Sequence, residues 1–173
     1  MSWEAEPNLA PLRAMAHPLR LRMLSLLTGE EMSAAEVARA LGVTHANASY
    51  HLRQLHAAGL LDVAGEERVR GGLARRYRHD PASSKWGARV PSTQRMVYRA
   101  LAEELTRRSA ALGEGSQMLT DAELWVDPAV WVAVCDRVAD AMRDLHDAAR
   151  PPGSSGAVRT SATVALFTMA VNQ

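Results

Sequence analysis

Between Ser33 and His79 the chain reads SAAEVARALGVTHANASYHLRQLHAAGLLDVAGEERVRGGLARRYRH, and no other stretch constrains the fold as tightly. Ser33-Ala-Ala-Glu36 is a capping box, in which the serine hydroxyl accepts a backbone N–H three residues on and the glutamate reaches back to the cap. It opens a short helix with Val37, Ala38 and Leu41 on its apolar face. Gly42 ends that helix, because the left-handed conformation needed there carries no Cβ penalty in glycine. Thr44 caps a second helix that runs to about His56, with Ala48, Leu52 and Leu55 along one side. Gly59 closes it. Two short helices around a glycine turn, the second polar at its start, predict a helix-turn-helix.

The next residues extend this motif. Leu60, Leu61 and Val63 begin a strand, Gly71-Gly72 supplies a tight turn, and Leu73 to Arg78 return as a second strand. The hairpin carries Arg68, Arg70, Arg75, Arg76 and Arg78. A helix-turn-helix followed at once by a basic hairpin reads as a winged helix for duplex DNA. Its second helix is expected in the major groove and its wing along the phosphates or a neighbouring minor groove.

On these residues a resemblance to a family emerges. AHPLRLRMLSLL (Ala16–Leu27), ALGVTHANASYHLRQLHAAGLL (Ala40–Leu61) and the basic hairpin ending RRYR resemble an ArsR-type winged-helix transcriptional regulator, over roughly Leu12 to His79. The resemblance implies a homodimer and an operator-binding regulator, read here as a repressor. It leaves the effector open.

The second helix offers Thr44, His45, Asn47, Tyr50 and His51 as its exposed polar set for reading bases. Asparagine makes a bidentate pair with adenine, while histidine, threonine and tyrosine donate to base edges or phosphates. Ser49, Arg70, Arg75 and Arg76 are the expected backbone contacts. His45 and His51 are six apart, which is not the i, i+4 spacing that chelates well, so DNA is preferred to metal there. His17 is read as a capping or packing residue ahead of Pro18, a proline at the tolerated first helical position. Leu19, Met23, Leu26 and Leu27 then carry a helical period.

A net charge of +1 hides an asymmetry. Thr44 to His79 holds six arginines against three acids, and Ser116 to Arg150 three arginines against seven acids. The basic half would face DNA and the acidic half turn away from it, the plainer alternative being that these charges only solvate a surface. No apolar run reaches about eighteen residues, so no membrane span is expected. The acidic start MSWEAEPNLAP has no apolar core of a secretory signal, and the single cysteine, Cys135, fits a reducing cytoplasm.

The expected class is α+β, in four parts: an N-terminal arm (1–11), the winged helix-turn-helix (12–80), a linker and dimerisation helix (81–115) and a small C-terminal β-α-β element (116–173). The helix is expected from Ser92 to Leu112, with Val97, Leu101, Leu105 and Leu112 near one stripe. Met118, Thr120, Ala122, Leu124 and Val126 alternate like a strand. Asp127-Pro128 begins a helix with Val130, Trp131, Val134, Val138, Met142, Leu145 and Ala149 on its apolar face. Ala157 to Val171 is β-branched and aromatic enough for a last strand.

The C-terminal element is the candidate site for dimerisation or for a small apolar effector, with Trp125, Trp131, Met142 and Phe167 as candidate lining residues. The alternative is that they are plain core. No metal or cofactor is expected: thiolate sites of the family need clustered cysteines, and the Asp144-Leu-His146 fragment of another family site lacks a second histidine downstream. No G-x-S-x-G, H-E-x-x-H or P-loop pattern occurs, so no catalytic residues are assigned. The competing functional class is a winged-helix protein-interaction module, its DNA binding dependent on a partner or on a small apolar ligand.

Overall fold

The computed structural model describes residues 9–69, 72–81 and 91–170. Six helices and three strands follow in the order α1 (Ala10–Met15), α2 (Pro18–Gly29), β1 (Met32–Ser33), α3 (Ala34–Leu41), α4 (His45–Ala57), β2 (Asp62–Val69), β3 (Gly72–Arg78), α5 (Pro91–Ser109) and α6 (Pro128–Asp147). The start of α2 follows from local chemistry. His17, in extended conformation, accepts the Leu19 N–H on Nδ1 at 3.2 Å, and Pro18 occupies the first turn where its missing donor costs nothing.

The capping box at α3 forms with both halves in place. Glu36 Oε2 accepts from the Ser33 backbone N–H at 2.7 Å and from its hydroxyl at 2.8 Å, while the Glu36 N–H donates to Ser33 Oγ at 3.4 Å. Gly42 stops the helix at φ +66°, a left-handed value that turns the chain into α4. Thr44 then caps α4 by accepting the Asn47 N–H at 3.2 Å.

These three helices bury one side each. Met23 and Leu27 of α2, Val37 of α3 and Leu52 and Leu55 of α4 are fully enclosed, with Leu60, Leu61 and Tyr77 sealing the base of the wing. Removing the side chain of Leu52 would cost about 2–5 kcal/mol, the usual range for a leucine deleted from a packed core. That core is what holds α4 rigidly at the surface.

The sheet is antiparallel in the order β1-β3-β2. Asp62 pairs with Arg78 and Val69 with Gly72, with a bulge between Val63 and Gly65. The two-residue β1 pairs Met32 with Tyr77 and Ser33 with Arg76, a strand too short to show a period in sequence. The wing tip, including Arg70 and Gly71, lies outside the described residues, as do the N-terminal arm to residue 8 and linker residues 82–90.

Helix α5 packs on α1 and α2 and buries Thr93, Val97, Ala100 and Glu104. This corrects the expected stripe. Val97 is buried, but Leu105 and Leu112 are 50% and 70% exposed, because the inward face runs through 93, 97, 100 and 104 instead. Glu104, only 2% exposed, receives a bidentate Arg107 guanidinium, the closest contact being 2.8 Å.

The C-terminal expectation needs a larger correction. Helix α6 starts as predicted, with Asp127 accepting the Ala129 N–H at 2.8 Å and Pro128 in the first turn. No strand flanks it among the described residues: 116–127 and 157–170 run without helix, turn or bend, and no backbone hydrogen bond joins them. Alternation alone cannot make a strand. A strand needs a partner for its backbone, and among the described residues neither segment has one.

Candidate nucleic-acid interface

The N-terminal half of α4 presents a polar face to solvent, and the wing carries exposed arginines. Thr44, His45 and Asn47 are exposed at the start of the helix, Ser49 is half-buried at its flank, and Tyr50 is 51% exposed. The inward side of α4 is Ala48, Leu52 and Leu55, so the residues opposite stand free to enter a groove. Arg53 and Gln54, also exposed, lie three and four residues beyond Tyr50 and share its face. Neither was among the sequence candidates, although the i+3, i+4 spacing from Tyr50 carried the signal.

His51 is the exception within the predicted set. It is 8% exposed and belongs to the core side, three residues after Ala48 and four before Leu55. Its ring meets His17 with centroids 4.8 Å apart and Tyr50 edge-on at 5.2 Å. Burial, then the charges of His17 and Arg20, push its pKa below the ordinary 6.5, and Nδ1 is enclosed with no hydrogen-bond partner. A neutral His51 therefore helps seat α4 on the N-terminus of α2 and does not reach a base edge. Burial and Arg20 lower the pKa of His17 as well.

Arg20 completes this corner. Its guanidinium donates to the carbonyls of Ala14 and Arg13, the latter at 2.8 Å, and so locks α1 to α2 beneath α4.

The wing arginines divide into two kinds. Arg75 stands exposed beside Glu66 at 3.7 Å, a loose pair that leaves its charge available. Arg76 is engaged: Nη1 donates to Glu36 at 3.0 Å and to Glu67 at 3.2 Å, and Nη2 donates to the Glu31 carbonyl. These contacts tie the wing to the start of α3. The Ser33 hydrogen bonds hold Glu36 below the ordinary carboxylate range, with Arg76 adding to the effect against burial. Arg70 lies outside the described residues. Arg68 and Arg78 are exposed along the same hairpin.

Two histidines brace the base of the wing. His56 Nδ1 lies 2.8 Å from the Leu61 carbonyl, and His79 Nδ1 lies 2.8 Å from that of Leu60. Burial lowers the pKa of His79, and nearby His146 of α6 adds to this. Among the described residues no group of three or more His, Cys, Asp or Glu side chains is placed to hold a metal ion, and no helix is long and apolar enough to cross a membrane.

The four candidate effector contacts do not gather into an enclosed pocket. Trp125 is 87% exposed, Phe167 is 52% exposed and stacks on Tyr98 at 5.1 Å, and Trp131 and Met142 are half-buried on α6. A pocket between helix and strands requires the strands, and none forms there among the described residues.

Comparison with known proteins agrees with this geometry. Residues 15–64 match a family model described as a helix-turn-helix domain. The chain is also 41% identical over 59 residues to the HTH-type transcriptional regulator YgaV of Escherichia coli (strain K12), an alignment that covers 34% of this chain and 60% of that relative. The matched region spans α2 to the beginning of β2. Residues 15–64 are therefore a helix-turn-helix domain of the kind carried by transcriptional regulators, in keeping with the ArsR-type resemblance of the sequence.

Proposed function

We propose that this protein is a sequence-specific, duplex-DNA-binding transcriptional regulator that acts as a homodimeric repressor. The observation that carries this reading is the solvent face of α4, where Thr44, His45, Asn47, Tyr50, Arg53 and Gln54 stand clear of the core beside a basic wing. Polar side chains of these types at the N-terminal half of a recognition helix read base edges in the major groove. Arg75 and Ser49 hold the backbone, with Arg70, which lies outside the described residues, expected from the sequence to do the same. Each phosphate neutralised contributes about 0.9 to the slope of log affinity against log salt.

Two copies account for specificity. A two-fold dimer sets two recognition helices on one palindromic operator. Helix α5 supports this role through Tyr98, Leu101 and Leu105, which flank its buried residues and stay partly or fully open to solvent. Occupying an operator would block transcription without any catalysis.

The test is binding to a duplex from upstream of the gene, titrated across salt beside a scrambled duplex. A high ratio of specific to scrambled affinity with a steep salt slope supports a sequence-specific regulator. Weak, unselective and salt-insensitive binding would overturn it in favour of a winged helix used for docking to another protein.

A further inference from the structure

The C-terminal third of the chain exposes what a folded monomer normally buries. Of the twenty large apolar side chains that stand exposed among the described residues, fourteen lie between Leu112 and Met169. Met118, Leu119, Trp125 and Val158 are 91%, 97%, 87% and 83% exposed. Helix α6 has twenty residues and a broad apolar stripe, yet none of its residues is buried. Such a helix draws most of its stability from packing, and here that packing is incomplete.

The flanking segments show the same deficit in their backbones. Residues 117–126 and 158–169 are free of turns and bends and rich in β-branched and apolar residues, and neither is hydrogen-bonded to a strand among the described residues. Unpaired strand-like edges of this kind are templates for another strand.

We propose that the two segments are halves of an intermolecular sheet, in which residues 158–169 of one copy pair with residues 117–126 of a second copy and cover the α6 stripes of both. This rests on the homodimer reading above and assigns the surface that makes it.

Three observations favour a second copy as the occupant. Each chain carries both an unpaired donor segment and an unpaired acceptor segment, so a two-fold pair satisfies both at once, as an isologous interface requires. The segments also complement each other in charge: 117–126 bears Asp121 and Glu123 and no base, whereas 158–169 bears Arg159 and no acid. The area matches as well. Fourteen largely exposed apolar side chains present on the order of 1,000 Å² per chain, more than the few hundred Å² tolerated on a monomer and close to the ~800 Å² per partner of a stable interface. The stack of Phe167 on Tyr98 makes this surface continuous with the apolar stripe of α5.

Two measurements on the full-length chain test the proposal. Amide hydrogen exchange on the wild type should show 117–126 and 158–169 protected at high protein concentration, with the protection lost on dilution. Free exchange in both segments at every concentration would overturn it. In parallel, Leu124→Asp with Val158→Asp alters two side chains that touch no core, so the monomer keeps its fold, but dimerisation measured by sedimentation should weaken on the order of thirtyfold or more. Dimerisation unchanged in that variant but abolished by Leu105→Asp would place the contact on α5 alone, overturning this interface while leaving the homodimer intact. A wild type that stays monomeric while binding its duplex specifically would overturn the homodimer itself and leave the surface for a different protein.

Discussion

Replacing Arg76 by alanine separates a wing that is held in place from a wing that holds DNA. The guanidinium spans Glu36 at 3.0 Å, Glu67 at 3.2 Å and the carbonyl of Glu31, with side-chain exposures of 26% for Arg76, 31% for Glu36 and 56% for Glu67. The Glu67 contact is largely solvated and contributes about 0.2–1 kcal/mol. The Glu36 contact, better sheltered, contributes about 0.5–1.5 kcal/mol, and the exposed contact to the Glu31 carbonyl about 0.5 kcal/mol. Arg76→Ala should therefore destabilise the fold by about 1–3 kcal/mol and lower Tm by roughly 2–12 °C for a chain of this size. In salt-titrated duplex binding, affinity should fall because the wing loosens, but the slope should stay as in the wild type. Arg75→Ala should behave in the opposite way, with stability within about 0.5 kcal/mol and a slope smaller by about 0.9. An Arg76→Ala protein that melts like the wild type and loses a unit of slope would refute the division of roles.

Three further outcomes follow from the same geometry. Asn47→Ala should relax base preference at one position per half-site by about 1–3 kcal/mol in a competition binding assay, whereas a uniform loss across all sequences would make it a positioning contact. Ser33→Ala removes the α3 cap and should cost about 1 kcal/mol in urea unfolding; no change in midpoint would mean that the Arg76 tie suffices. Stability should decline on acidification. His17, His51 and His79 have folded pKa values below the ordinary 6.5, so the unfolded chain binds more protons as pH falls through that value and the folded state loses ground. Glu36, held below its ordinary 4.5, adds a second loss below that pH. Unfolding midpoints that stay flat between pH 7.5 and pH 5 would contradict the burial of these rings.

The amino-acid sequence by itself determined the features that act within about a turn of helix: the Ser33–Glu36 box, the Gly42 stop, the Thr44 and Asp127 caps and the prolines that open α2 and α6. Each depends on residues two to four apart, and a linear reading contains all of that chemistry. The helix-turn-helix and its basic hairpin were legible for the same reason. His51 and Arg53 could have been sorted from the spacing of Ala48, Leu52 and Leu55, since a helical period assigns faces once the buried side is known.

What only the tertiary structure decided depends on residues far apart in the chain. Arg76 meets Glu36 from forty residues away and so ties the wing to the start of α3. The two-residue β1 exists only because β3 passes beside it. The inward face of α5 was set by α1 and α2, which take Val97 and Ala100 and leave Leu105 outside. At the C-terminus, alternating residues foretold strands that do not form among the described residues. Alternation reports which side of a strand is apolar, but a sheet forms only where another backbone supplies the hydrogen bonds.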